Sequence, residues 1–295
     1  MALIEVAEPH EPVNLAMKME GPVFDQGIPV HLLVAGFSEV QAILDKTYLG
    51  LINRHRMTRE ERTKFFIKTN QVTRGSVYAD FDLVIAAGQA SFAFINAIGP
   101  STVWEYTKQA YDLLQMVFGV MKAGKKPEIT VGGNDNSIIN INTGTQTVVF
   151  NAPVLGIAQQ ALPHYQTLDH LLEASEVKTI SFGSVDNPEI KRTQDTRGTF
   201  DLPTVVDDAP VQLECEIFNF DKFRNTGKLI VADEQAVIKG EYKFSVVGDQ
   251  DVADYISAML RKHVKVSCLR EISQDPFAPG RVVRLQLTKV GSKTS

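Results

Sequence analysis

A long run without charged side chains constrains the fold of this chain more than any other feature. From Leu83 to Trp104 the sequence reads LVIAAGQASFAFINAIGPSTVW, and a predicted helix and an asparagine-rich hairpin follow it. Surface segments rarely lack charge over such a length, so the run predicts a buried element or a pair of buried helices. A membrane span is the alternative. The Gly99-Pro100 break leaves only about 17 mildly apolar residues before it, at the lower edge of a spanning length. We therefore expect no membrane contact through residues 83–99.

Hydrophobic periodicity predicts an α+β fold that begins with an α/β region. Alternating apolar residues predict a strand over residues 13–19, and helical spacing predicts an amphipathic helix over residues 28–52. Thr58-x-x-Glu61 is a capping-box pattern for a second helix, which we expect to continue through the two phenylalanines at 65–66.

The centre of the chain combines helices with a hairpin. Thr102-x-x-Glu105 is a second capping-box pattern, and it predicts the start of a long helix that Gly124 ends. Pro163 is expected to divide two later helices, because proline lacks the N–H that a helix interior needs. The other elements predicted here are strands over 76–83, 129–131, 138–150 and 177–182 and helices over 151–162 and 168–174.

Composition shifts divide the chain into regions. The segment from Gly183 to Pro210 is rich in proline, aspartate and threonine and shows little periodicity, so it predicts a linker or an extended loop. After it come five short strand patterns and one helix capped by Asp249 or Asp251, which is typical of a small barrel of the OB or SH3-like kind. The predicted regions are 1–86 (N-terminal α+β), 87–183 (central helices and hairpin), 184–210 (linker) and 211–295 (C-terminal β-barrel).

Charge and cysteine content exclude several classes of protein. Thirty Lys and Arg against 35 Asp and Glu give a net charge of -5, which argues against a surface made entirely for duplex nucleic acid. The two cysteines, Cys215 and Cys268, have no zinc-type spacing and predict neither a disulfide framework nor a structural metal. The N-terminal residues show no secretory signal pattern. We expect a cytoplasmic protein without a metal or a cofactor.

Catalytic motifs are sparse. His164 and His170 lack the i, i+4 spacing that places two ligands on one helical face, and no G-x-S-x-G sequence is present. A hydrolase or nuclease would have to use scattered carboxylates such as Asp80, Asp82 and Asp169, brought together in one cleft. The sequence therefore favours a non-enzymatic protein and keeps this enzyme as an alternative.

Two basic features are candidates for anion or nucleic-acid contacts. Arg54, Arg56 and Arg59 lie close together around the start of the second helix, and Arg281 and Arg284 lie in the last predicted strand. The segment Val211–Ser295 holds 13 basic and 11 acidic residues, while the rest of the chain carries the negative charge. The C-terminal barrel is therefore the alternative candidate for binding single-stranded nucleic acid or a small ligand, although overall charge does not indicate nucleic acid and no ladder of exposed aromatic residues is evident.

The asparagine-rich hairpin is the candidate assembly surface. Isoleucines and asparagines alternate along it, so one face is apolar and the other carries amides that can form ladders with a second copy. The assembly residues that we predict are Asn134, Asn136, Ile139, Asn140, Ile141 and Asn142. Together with the uncharged run, they favour a self-assembling or binding subunit that forms a homo-oligomer.

The order of short motifs resembles a known family. Met19-Glu20-Gly21 is followed by Arg74-Gly75-Ser76, Trp104-Glu105-Tyr106-Thr107-Lys108, the GNDNSIININTG hairpin, Phe218-Asn219-Phe220 and Leu287-Thr288-Lys289-Val290. This layout is similar to an uncharacterised bacterial family of paired domains of unknown function. The resemblance implies a link to mobile elements or antiviral defence loci and a protein partner from the same locus. The family has no assigned catalytic residues, so none is transferred to this chain.

Overall fold

The protein is an α+β structure of two compact units. The computed structural model describes residues 11, 13–73, 77–85, 98–132, 138–142, 147–173, 175–185, 187–233 and 236–291. Unit 1 is Met1–Asp201 and unit 2 is Leu202–Ser295. Unit 1 thus includes both the predicted N-terminal region and the predicted central region.

Unit 1 contains four helices and eight strands among its described residues. The helices are α1 (Val30–Leu51), α2 (Arg59–Lys64), α3 (Pro100–Lys122) and α4 (Ala152–His170). The strands are β1 (Val13–Glu20), β2 (Phe65–Thr73), β3 (Val77–Ile85), β4 (Glu128–Gly132), β5 (Ile138–Asn142), β6 (Thr147–Phe150), β7 (Thr179–Gly183) and β8 (Ile190–Thr193).

A five-stranded antiparallel sheet in the order β2-β3-β1-β7-β8 forms one layer of unit 1. Alternate residues of β3 are buried, as the period of two predicted. In β1 the predicted inward residues Leu15, Met17 and Met19 are buried, and Ala16 of the opposite face is buried as well. Helix α1 packs tightly on this sheet. A Cβ at Gly36 would overlap the side chains of Met17 and Met19, so the glycine lets α1 approach β1 closely.

The second helix is shorter than its pattern predicted. Thr58 and Glu61 form the expected capping box, with the Thr58 hydroxyl accepting from the Glu61 backbone and the Glu61 carboxylate accepting from the Thr58 backbone. The helix ends at Lys64, and Phe65 begins β2. Phe65 is buried and stacks on Tyr48 of α1 at 4.8 Å between ring centroids, so packing and pairing with β3 override the helical pattern here.

Proline determines two further differences from the prediction. Helix α3 begins at Pro100 with Gly99 as its N-cap, so Thr102 lies inside the first turn and does not cap the helix. Helix α4 continues through Pro163 as a single element. Buried side chains on both sides of the proline, Leu162 and Tyr165, hold this helix in the core, and their packing outweighs the lost N–H.

The uncharged run contributes to two elements. Leu83 and Ile85 are buried in β3, and Val103 and Trp104 are buried in α3. Residues 86–97 lie outside the described residues. None of the described helices is both long enough and apolar enough to cross a bilayer.

The predicted linker contains ordered elements. Strand β8 pairs with β7, and Arg192 of β8 is completely buried against Asp169 of α4. Arg192 Nε donates to one carboxylate oxygen at 2.7 Å and Nη2 donates to the other at 2.5 Å. Nη2 also donates to the Thr196 carbonyl, and the guanidinium lies over the Phe200 ring. Residues 187–201 of the predicted linker therefore belong to unit 1, and Thr204 already begins the first strand of unit 2.

The described residues of unit 2 form a closed five-stranded barrel with one helix. Its elements are β9 (Thr204–Asp221), β10 (Thr226–Val231), β11 (Gly240–Val246), α5 (Val252–Ala258), β12 (Val264–Ser273) and β13 (Val282–Val290). The strands close in the order β10-β11-β13-β12-β9. All pairs are antiparallel except β11–β13. The Asp251 side chain caps α5, as one of the two alternatives predicted.

The inner face of the barrel forms its own core. Phe220, Phe244 and Tyr255 stack on one another with centroids 5.0 to 6.2 Å apart. Cys215 and Cys268 are free, buried thiols in the same core. The alternation of buried and exposed residues along each strand therefore leaves a separate polar face on the outside.

Candidate functional site

A row of three cations crosses the outer face of the barrel. Strand register places Asn219 opposite Lys228, Lys228 opposite Lys243, and Lys243 opposite Arg284, so the row spans β9, β10, β11 and β13. Opposed residues on neighbouring strands have Cα atoms about 5 Å apart. We call these four residues the cationic row. They line one shallow depression.

A glycine and an aromatic ring form the floor of this depression. Gly227 lies between Thr226 and Lys228, whose side chains face outward, and is itself buried at an inward-facing position of β10. A Cβ at this position would overlap the Asn219 carbonyl and the Phe244 ring. The glycine therefore allows β9 and β10 to lie close together over the stacked aromatic rings, and the cationic side chains lie above a rigid surface.

The row carries excess positive charge. Lys228 Nζ lies 2.9 Å from the Glu241 carboxylate, which neutralises it. Within the described part of the chain, Lys243 and Arg284 form no ion pair, although Glu271 lies opposite Arg284 in the β12–β13 register. Like charges directly opposite each other on neighbouring strands are destabilising. A bound anion would relieve this repulsion.

An exposed aromatic residue lies in the turn that joins the strands of Asn219 and Lys228. Phe223, in the β9–β10 turn, is 88% exposed, and Lys222 Nζ lies 5.1 Å from its ring centroid. The Asp221 carboxylate accepts from the backbone N–H of Phe223 at 2.9 Å and of Arg224 at 3.2 Å, so the turn is held in shape. The exposed ring on this turn is available for stacking.

The β12–β13 loop lies at the opposite end of the barrel. Arg281 lines a cleft there with Tyr242 and Arg270. Arg270 is already bound by the Asp207 carboxylate and the Ala236 carbonyl, so Arg281 is the arginine of this cleft without an ion pair among the described residues. Of the two arginines predicted from sequence, Arg284 thus belongs to the cationic row and Arg281 to the loop beyond it.

Comparisons with protein-family models, with curated proteins and with solved structures each found no match to this chain. The functional argument therefore depends on the geometry of the described residues.

The N-terminal arginines have different environments. Arg54 donates to the Glu61 carboxylate, which is buried, and to the Arg56 carbonyl at 3.2 Å. It therefore stabilises the capping box of α2. Arg56 lines a cleft of unit 1, and Arg59 is the exposed first residue of α2.

The predicted assembly residues fall on a small separate sheet. Strands β4, β5 and β6 pair in that order, and residues 139–142 lie on β5, the central strand. Both edges of β5 are therefore already paired within the chain. The outer edges of β4 and β6 are the ones without a partner strand among the described residues. Asn134 and Asn136 lie outside the described residues.

The scattered carboxylates do not form a metal-binding group. Both oxygens of Asp169 accept from Arg192, whereas Asp80 and Asp82 lie on β3. Over the described ranges, no three His, Cys, Asp or Glu side chains converge as metal ligands would. His164 Nδ1 lies 2.7 Å from Glu39, and His170 Nε2 lies 3.8 Å from Asp201. Burial raises the pKa of Cys215 to about 12 and of Cys268 to about 11, so neither is a nucleophile at neutral pH.

Sequence reasoning missed most of the cationic row. Arg284 was predicted, but Lys228, Lys243 and Phe223 were not. The turn over residues 222–225 was the available signal, because a tight turn sets the register of the strands that it joins. The pairing of β11 with β13 had no such signal.

Proposed function

We propose that the protein is a non-enzymatic binding protein whose unit 2 is an OB-type barrel that binds single-stranded nucleic acid. The strand order carries this proposal. Counted within the barrel, the first strand pairs with the second and the fourth, and the third pairs in parallel with the fifth. The helix lies between the third and fourth strands. This arrangement favours the OB alternative over an SH3-like one.

The position of the charges supports the same function. OB barrels bind oligonucleotides across the second and third strands and the loops that join strands 1–2 and 4–5. Here these strands are β10 and β11, which hold Lys228 and Lys243. The two loops hold Phe223 and Arg281. The site predicted by fold type and the site predicted by charge therefore coincide.

Phosphates and bases would have separate contacts. A single strand lying across β10, β11 and β13 would place its phosphates on Lys243 and Arg284, which form no ion pair among the described residues. Phe223 would stack on a base, and stacking tolerates any sequence because every base has a π-face. We therefore expect binding with little sequence preference and strong dependence on salt.

The test is fluorescence anisotropy with a labelled oligonucleotide over a range of salt concentrations. Removing one cation that binds a phosphate should reduce the slope of log K against log salt by about 0.7 for a single strand. Lys243→Ala and Arg284→Ala should each show this reduction. Phe223→Ala should weaken binding by about 1 to 3 kcal/mol with an unchanged slope.

Lys265 provides the matched control. It is an exposed lysine on β12, opposite Glu214 and outside the cationic row. Lys265→Ala removes the same charge from the same barrel, so it should leave the salt slope nearly unchanged. An equal loss in all three charge variants would show nonspecific attraction, and no binding at low salt would refute the proposal.

Self-assembly is the second candidate function. It is supported by the three-stranded sheet, whose outer edges on β4 and β6 have no partner strand among the described residues. Open edges pair readily with another chain. Sedimentation of the unmodified protein should show an oligomer at micromolar concentration. Changing Ile139 and Ile141 to lysine should dissociate it without loss of helical circular dichroism. A monomer would refute this candidate and leave the barrel proposal intact.

A further inference from the structure

A second cleft lies in unit 1, within a single compact unit. Its walls come from α1, the α1–α2 loop, α2, the start of β2 and one residue of α4. Its volume is about 740 Å³, within the range of roughly 300 to 1,000 Å³ that is usual for small-molecule sites. The cleft is therefore large enough for a ligand of nucleotide size.

The cleft is lined by three cations that form no ion pair among the described residues. Lys46 of α1, Arg56 of the loop and Arg62 of α2 all line it. Among the described residues, none of the three has a carboxylate within ion-pair distance. Three cations against the one lining carboxylate, Asp45, leave a positive potential in the cleft, which favours an anionic ligand.

One carboxylate in the cleft is held in position. Gln41 Nε2 donates to Asp45 Oδ1 at 2.6 Å, and Gln41 Oε1 accepts from the Ile67 backbone N–H at 2.7 Å. Burial raises the pKa of Asp45, while Gln41, Arg62 and Lys46 act against that rise. The second carboxylate oxygen stays available to accept from N–H groups of a ligand.

The remaining wall is apolar. Phe37, Leu49, Met57 and Ile67 line the cleft beside the charged groups. His164 also lines it, and its Nδ1 is held by Glu39 at 2.7 Å, so the other ring nitrogen is the one that can bind a ligand. A ligand that fits must combine a negative group, an apolar ring and N–H donors.

We propose that this cleft binds a nucleoside phosphate. Arg56, Arg62 and Lys46 bind the phosphate, Phe37 and its apolar neighbours contact the base, and Asp45 accepts from the amino or imino group on the base edge. Arginine binds phosphate in a fork geometry, which makes the two arginines the principal contacts. This site is independent of the barrel, and its failure would leave the nucleic-acid proposal unaffected.

The test is calorimetric titration of the full chain with four nucleoside monophosphates, with the matching nucleosides and with inorganic phosphate. We expect one nucleotide per chain and binding at least about tenfold weaker for the nucleoside, because it lacks the charge-assisted hydrogen bonds. Arg62→Ala and Arg56→Ala should each weaken nucleotide binding about tenfold or more. Asp45→Asn should change the order of preference among the four bases.

Arg59 supplies the matched control for the arginines. It lies on the same helix as Arg62 and is exposed, but it does not line the cleft. Arg59→Ala should leave nucleotide affinity unchanged. The fluorescence of Trp104 verifies that each variant is folded, and Arg56, in a loop, replaces Arg62 if that variant does not fold.

Three results would overturn the proposal. One is the absence of binding of any nucleotide at millimolar concentration. Another is an equal loss of affinity in Arg59→Ala and in the cleft variants, which would indicate nonspecific attraction. The third is phosphate binding as tight as nucleotide binding, which would leave an anion site without a nucleoside subsite.

Discussion

The buried pair of Asp169 and Arg192 allows a quantitative test of the core of unit 1. Arg192 is 0% exposed and Asp169 is 1% exposed. Removing one partner of such a pair leaves an uncompensated charge in the interior, which typically costs about 3 to 5 kcal/mol. The Thr196 carbonyl and the Phe200 ring also hold the guanidinium, so it cannot swing into solvent without breaking these interactions.

We therefore expect Asp169→Asn to destabilise unit 1 by about 3 to 5 kcal/mol. For a unit of this size, that destabilisation lowers the melting temperature by roughly 6 to 20 °C. The combined change Asp169→Leu with Arg192→Met removes both charges and keeps apolar volume, so it should recover most of the stability. The double-mutant cycle then gives the interaction energy directly.

The assay is urea unfolding followed by tryptophan fluorescence. The chain has a single tryptophan, Trp104, which is buried against Phe182 in unit 1 and reports on that unit alone. A destabilisation below about 1 kcal/mol for Asp169→Asn would refute the reasoning, because it would mean that Arg192 finds another partner or water. If the double variant is no more stable than Asp169→Asn, the unpaired charge is not the cause of the destabilisation.

Four further outcomes are expected. The thiols of Cys215 and Cys268 should react with a disulfide reagent only after urea unfolds the barrel; rapid labelling of the native protein would contradict their burial. Burial pushes the pKa of Glu61 up, but hydrogen bonds from Thr58 and Arg54 outweigh it and lower the pKa. The stability that ionised Glu61 adds to the folded protein is thus present above the unfolded pKa of about 4.3. It is lost as the pH falls through the lower pKa of the folded state. Urea midpoints of Glu61→Gln should vary less between pH 5 and pH 3 than those of the unmodified chain. Gly227→Ala should destabilise the barrel by about 1 to 3 kcal/mol, seen by circular dichroism without a change in the tryptophan signal. Lys243→Ala should stabilise the barrel by about 0.2 to 1 kcal/mol by removing like-charge repulsion, and a lower stability would show that the row is not repulsive.

Local patterns predicted most elements of both units. The alternation in β1 and β3, the helical spacing of α1 and the capping box at Thr58 are all properties of contiguous sequence. The order of five strands and one helix after residue 211 likewise indicated the elements of the barrel. In each of these cases the residues that determine the element are neighbours in the chain.

Long-range contacts explain the features that local sequence patterns did not predict. Phe65 is a strand residue because it stacks on Tyr48 and pairs with β3. Pro163 lies inside a helix because the helical residues on both sides of it are packed in the core. The prediction of a linker failed at Arg192 because its partner lies 23 residues earlier. The cationic row was missed for the same reason: strand register decides which lysines meet, and only turn-linked strands reveal it from sequence.

The length of β9 has a consequence for biosynthesis. The first part of β9 pairs with β12 and its last part pairs with β10, so this one strand closes the barrel. Cys215 and its partner Val264 are 49 residues apart. At ribosomal speeds of about 5 to 20 residues per second, β9 waits roughly 2 to 10 s for that neighbour to emerge. During this interval the backbone N–H and C=O groups of β9 that later pair with β12 have no partner strand. The newly made chain then depends on dilution or a chaperone to avoid pairing with another nascent copy.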